Sequence, residues 1–161
     1  MRPPPLAILL ALAPLSGCGT VPPSSTAAPA AGTGAAVTAL ADSILMAARA
    51  RDADRFAAFF ASGDDVVYVL NTRQLASQGA VRDAFRNMLT RQREFDARWT
   101  EGRVQEVAPG AAVFTGAFRT TARDTTGRAW AQVGIVTFAA RLTPAGWRVV
   151  NWHTSERDAT P

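Results

Sequence analysis

The sequence predicts an α+β domain in which helices come first and pack on one face of a following antiparallel sheet. Two patterns carry this. Between Val37 and Leu89 apolar residues recur mostly at three- and four-residue steps, and from Arg98 onward they alternate in runs separated by tight-turn residues. A third observation bounds it: 161 residues, 48% of them hydrophobic, suffice for one cored domain and are too few for two comfortable ones.

Val37, Leu40, Ile44 and Ala47 or Ala48 form a helical stripe, with Asp42, Arg49 and Arg51 off it. Asp52 can cap a second, short helix whose Phe56, Phe59 and Phe60 turn inward, and Ser62-Gly63 stops it. The β-branched and aromatic run Val66 to Leu70 reads as a strand. Gly79 precedes a third helix with Val81, Phe85, Met88 and Leu89 on one face. The segments 98–107, 111–122, 128–142 and 147–154 then alternate, separated by Pro109-Gly110, Asp124 to Gly127 and Pro144 to Gly146, so they predict a meander. By the two-residue period, Phe114 and Phe118 share one face of their strand, as do Trp130, Val136 and Phe138 of theirs.

The N-terminus reads as an address. Arg2, an apolar run from Leu6 to Leu15 and then small residues have the order of an export signal, and the run is too short for a spanning helix, which needs about 20 residues. Leu15-Ser16-Gly17-Cys18 resembles the lipobox of bacterial lipoproteins, which implies removal of residues 1–17 and lipidation of Cys18. Cys18 is the only cysteine, so a disulfide framework is excluded. Gly19 follows it where an aspartate would mark inner-membrane retention in enterobacterial lipoproteins. The expectation is therefore a periplasmic domain anchored to the membrane through lipid, with the outer membrane favoured. Residues 18–35, GTVPPSSTAAPAAGTGA after the cysteine, lack charge and apolar periodicity and read as a tether, with an extended reach of up to about 50 Å. The folded domain is then 36–157, with 158–161 a tail.

The strand Asp64-Asp65-Val66-Val67-Tyr68 after two helices, Gly79 before the third, and the closing Gly146-Trp147-Arg148-Val149-Val150-Asn151-Trp152-His153-Thr154-Ser155 together resemble the nuclear transport factor 2-like superfamily, and within it the SnoaL-like and DUF4440 domains. The resemblance spans nearly all of 36–157. It implies a cone, a curved and mainly antiparallel sheet folded around the helices with a pocket open at one end, and frequent homodimerisation through the sheet. It does not imply a reaction, because catalytic and non-catalytic members share the cone.

His153 is the only histidine. Strict alternation along the last strand places Trp147, Val149, Asn151 and His153 on one face, graded from apolar to polar as from a packed apex to a pocket mouth. There His153 can exchange a proton near neutral pH, with Asp65 or Tyr68 as catalytic support. The plainer alternative is that His153 bonds Ser155 or backbone and finishes the strand. Asp64 and Asp65, adjacent on a strand, point to opposite faces and fit a turn better than a shared-proton pair. Tyr68, Trp99, Phe114, Phe118, Trp130, Asn151 and His153 are the candidate ligand-binding set, the large rings among them serving equally well as core.

No metal site and no cofactor are expected, given one histidine and a cysteine assigned to lipid. The net charge of +4 falls to +3 once Arg2 is removed, and all 17 basic residues are scattered arginines. That pattern carries no basic cluster for nucleic acid. The favoured reading is a lipid-anchored domain binding a small apolar or amphipathic ligand, or a partner protein, without turnover. The alternative is a cofactor-free enzyme of the SnoaL or ketosteroid isomerase type using His153 as acid or base.

Overall fold

A computed structural model describes residues 31–159. Its order is α1 (Ala31–Arg49), α2 (Ala53–Ala58), β1 (Val67–Leu70), β2 (Arg73–Leu75), α3 (Gln78–Thr90), β3 (Gln92–Ala108), β4 (Ala111–Asp124), β5 (Ala129–Thr143) and β6 (Gly146–Asp158). The predicted α+β arrangement is the one found. Cys18 and the signal lie outside the described residues.

The first helix starts at Ala31, not Ala36, so its first turn takes residues expected in the tether. Alanine-rich chain propagates a helix once the buried stripe behind it is fixed. That stripe is Val37, Leu40, Ala41, Ile44, Ala47 and Ala48, all buried. Asp52 caps α2 as expected, accepting from the Arg55 amide at 2.9 Å. Ser77, not Gly79, marks the start of α3; its hydroxyl accepts from the Ala80 amide at 3.1 Å. Arg51, in the left-handed region at φ 60°, donates through its guanidinium to the carbonyls of Leu89, Gln92 and Arg93. A cation thereby satisfies the open end of α3 and ties it to the turn after α1.

The six-stranded sheet has the order β2-β1-β6-β5-β4-β3. Strands β3 to β6 form the predicted meander, but β3 begins at Gln92 rather than Arg98. The short β2 was not foreseen, and β1 runs parallel to β6. Three residues are too few to show a period.

Three glycines on the inner face bend the sheet. Gly102 lies directly opposite Gly116, and Gly134 lies opposite Phe118. The Phe114 ring covers the first two and the Phe118 ring the third. Missing side chains let the strands curl and the rings fill the hollow of the curve. Phe60, Phe114 and Phe138 are fully buried among helices and sheet; each such ring contributes about 1.5–3 kcal/mol.

Gly134 is the tightest of these places. A Cβ there would sit 2.5 Å from the Ser155 carbonyl oxygen and 2.7 Å from the Phe118 ring. Backbone cannot swing aside as a side chain can. Gly134→Ala is therefore expected to cost about 1–3 kcal/mol and lower the melting temperature by roughly 3–10 °C in a thermal unfolding scan. Gly127→Ala, with open space around its Cβ position, gives the cost of a positive φ alone.

Candidate functional site

The course of β6 decides which side chains face inward. Ala140 of β5 pairs with Val149, but the preceding residue, Ala139, pairs with Asn151, so Val150 is an extra residue with no partner. The bulge is pinned from the other side: the Ala61 amide donates to the Val149 carbonyl at 2.8 Å and the Val149 amide to the Phe59 carbonyl at 3.0 Å. One inserted residue reverses the alternation beyond it. Trp152 and Thr154 are consequently buried and Glu156 partly so, while Asn151, His153 and Ser155 are exposed on the outer face.

This corrects the strict-alternation reading: Val149 faces the core, but Asn151 and His153 do not follow it into a cavity. His153 stands opposite Thr137 and carries no hydrogen bond from its ring among the described residues. Asp65 is also elsewhere. It is exposed, 3.7 Å from Arg141, in an open groove of about 480 Å³ with Arg82 and Arg148. Its place between α2 and β1 is the turn role the sequence favoured.

A separate cavity of about 140 Å³ lies between the inner sheet face and α1, α2 and α3. Tyr68, Trp99, Phe118 and Trp130 of the candidate set line it, whereas Phe114 is core beneath Trp99, their ring centroids 5.1 Å apart. Phe85, Phe95 and Trp152 extend the aromatic wall. Thr120, Gln132, Thr154 and Glu156 add the polar atoms. Sequence reasoning missed Trp152, Thr154 and Glu156; counting every second residue from a bulge at the Val149-Val150 doublet would have found them.

The electrostatics follow from burial. The Tyr68 phenol is held well above its ordinary pKa of 10.0, first by burial and then by the negative charge of Glu156. Glu156 is itself raised above the usual carboxyl value, again by burial first and by Asp158 second. Trp152 donates its indole N–H to Thr154 Oγ1, which fixes the ring edge. The Trp99 indole N–H is buried with no acceptor among the described residues. An apolar cleft with one carboxyl, one phenol and one unpaired indole donor suits a small molecule that is mostly apolar and has a polar end.

Tyr68 is the only tyrosine, so its titration can be read directly. Its folded pKa lies above its unfolded one, so the neutral phenol stabilises the fold fully below pH 10 and that contribution is lost as pH rises beyond it. Tyrosinate absorbance should therefore be absent from the folded protein at pH 10.5 and emerge together with unfolding at higher pH. A tyrosinate signal at half amplitude near pH 10 with the fold intact would mean that the phenol is solvated.

The comparisons with known proteins agree with this architecture. A model of the SnoaL-like domain matches residues 37–158. No curated protein matches the chain. Among solved structures, a nuclear transport factor 2-like superfamily protein from Salmonella enterica is similar at 16% identity and a TM-score of 0.70, over 78% of this chain and 91% of that one. A hexachlorocyclohexane dehydrochlorinase from Novosphingobium barchaimii shares 16% identity with a TM-score of 0.68, over 78% and 87%. A provisionally assigned calcium/calmodulin dependent protein kinase II association domain from Xanthomonas campestris shares 23% identity with a TM-score of 0.65, over 78% and 86%. At these identities the likeness is one of fold, and it spans enzymes and an association domain alike. A domain model that covers 37–158 places the chain in the SnoaL-like family, and helices on a curved sheet with the cavity between them give it the fold of nuclear transport factor 2-like proteins.

Proposed function

We propose that this protein is a lipid-anchored periplasmic domain that binds a small apolar or amphipathic molecule in the cavity between Trp99, Trp130 and Trp152. The observation that carries the binding reading is the combination of an aromatic wall with polar atoms lacking protein partners, the Trp99 N–H above all. A buried donor without an acceptor is costly unless something supplies one. The lipid anchor rests on the lipobox resemblance at Cys18 and the export signal before it. The dehydrochlorinase neighbour, named for a small chlorinated ring, supports a small apolar ligand by analogy of fold.

One observation favours an enzymatic second reading. Glu156 and Tyr68 sit at the same cavity with raised pKa values, and a carboxyl so placed can move a proton to or from an enclosed molecule. In that reading Glu156 takes the acid-base role the sequence suggested for His153, with Tyr68 as partner and no cofactor.

A homodimer completes the proposal. The outer sheet face presents Val113, Ala117, Val133 and the exposed Ile135, 56% accessible, beside Thr115, Thr137, His153 and Ser155. That surface is uncharged at its centre and suited to a second copy.

Three of the four tryptophans line the cavity, so ligand entry is visible in intrinsic fluorescence. In a screen of small aromatic compounds, hits should shift tryptophan emission and raise the melting temperature. Ala97→Phe, which fills the cavity, is expected to abolish both, and His153→Ala to leave both unchanged. Binding lost in His153→Ala but kept in Ala97→Phe would move the site to the outer face. Ile135→Arg is expected to convert a dimer into monomers in sedimentation; a wild type that sediments as a monomer removes the dimer from the proposal.

A further inference from the structure

We propose that the ligand of this cavity is a small organic cation, an amine or quaternary ammonium group carried on one aromatic ring or a short aliphatic chain. This rests on the binding reading above and names the chemistry it would take.

The argument begins with what the cavity leaves out. Sixteen arginines lie among the described residues, yet none of those lines it. Its one carboxylate is Glu156, and no basic side chain lies within ion-pair distance of that group among the described residues. The groups facing Glu156 add no positive charge. Tyr68 approaches from β1, Asp158 lies on its own strand, Gly134 is opposite on β5, and Asn71 accepts from the Glu156 amide through Oδ1 at 3.1 Å. Arg73 lines an adjoining space that shares Phe56, Tyr68, Leu70, Phe85 and Met88 with this one, and does not line this one. Elsewhere arginines pair with surface carboxylates, Arg49 with Asp96, Arg86 with Asp54, Arg123 with Glu94 and Arg141 with Asp65. Glu106 is also half-buried with no basic partner among the described residues, but only Glu156 lines the cavity. A partly buried carboxylate on an aromatic cavity, with no counter-charge beside it, can take a cation from the guest.

The walls favour the same sign. Aromatic faces are the negative side of the ring quadrupole and attract a positive head, tryptophan most strongly. Trp99, Trp130, Phe118 and Phe95 line the space; Trp152, stacked between Tyr68 and Phe138 with its indole N–H on Thr154, offers no free face and adds nothing to this attraction. An anion would meet the Glu156 carboxylate, whereas the Trp99 N–H, a donor without an acceptor among the described residues, can be met by a neutral acceptor atom elsewhere on a cationic guest. A neutral guest would leave Glu156 unpaired. Size sets the rest: an apolar cavity of about 150 Å³ accommodates benzene, so about 140 Å³ takes one ring or its equivalent, with the charged head toward Glu156.

The test uses the purified full chain and three probes of similar size: benzylammonium, its uncharged isostere ethylbenzene, and phenylacetate. Binding is read by tryptophan emission and by calorimetry. The cation is expected to bind at least tenfold more tightly than the isostere, and phenylacetate not at all. Its affinity should rise with pH as Glu156 ionises. Glu156→Gln is expected to lose tenfold or more for the cation and to leave the isostere unchanged, its fold verified by circular dichroism. If the isostere binds the wild type as tightly as the cation, or phenylacetate does, the cavity reading stands and the cation inference fails. If none of the probes binds and the aromatic screen also finds no ligand, the binding reading itself fails. The wild-type comparison of charged and uncharged probes decides the matter even if Glu156→Gln does not fold.

Discussion

A single row of stacked rings runs across the inner face of the sheet, and the site depends on it. Tyr68 of β1 stacks on Trp152 of β6 at 5.7 Å between centroids and 5° between planes. Trp152 stacks on Phe138 of β5 at 5.4 Å and 4°, and Phe138 on Phe114 of β4 at 4.9 Å and 18°. Each is the direct cross-strand partner of the next. Pairs of this kind add about 0.5–1.5 kcal/mol apiece beyond their burial, so the row fixes register across four strands as well as filling the core. A slip by one residue anywhere would turn one ring to solvent and break the row.

The row also explains why the bulge at Val150 matters. Without the extra residue, the alternation that buries Val149 would send Trp152 outward, leaving a gap between Tyr68 and Phe138. The hydrogen bonds from the Ala61 amide to Val149 and from the Val149 amide to the Phe59 carbonyl hold Val149 in place, and the chain gains its extra residue just beyond. Packing then determines chemistry: the same reversal that buries Trp152 brings Glu156 inward two pairs later and turns His153 out. The glycines at 102, 116 and 134 work with the row, because a flat sheet could not fold its rings around a cavity.

Much of this was legible in the sequence. The stripe from Val37, the cap at Asp52, the turn residues and the alternating faces of Phe114 and Phe118 all state local rules that tertiary structure kept. The last strand shows where such reading ends. Alternation is a local pattern, whereas a bulge is decided by a contact with a distant segment, here Phe59 to Ala61. The one local trace was the doublet Val149-Val150, two β-branched residues in succession where one should have been polar. Glu156 was invisible for the same reason, since nothing in Ser-Glu-Arg announces which member is enclosed. Arg51 was equally silent: its cap on α3 spans more than 30 residues and leaves no spacing signature.

The arginines give the high pI of 10.9 a different meaning from the one composition suggests. A basic protein invites an acidic partner, but several of these guanidiniums are engaged by neighbouring carboxylates on the surface, at distances from 2.8 Å. Such exposed pairs contribute little stability; their effect is to divide positive charge into small, partly neutralised patches. The groove holding Arg82, Arg141 and Arg148 is the densest of these, and Asp54 and Asp65 sit within it. At the aromatic cavity the balance reverses, with one carboxyl and no arginine. Among the described residues, no arginine lines this cavity. Guanidinium groups would stack readily on its tryptophans and neutralise Glu156 from within. Their exclusion leaves the space open, and the cost of the unpaired Glu156 charge is a cost of stability that a site for binding can carry and a core would not.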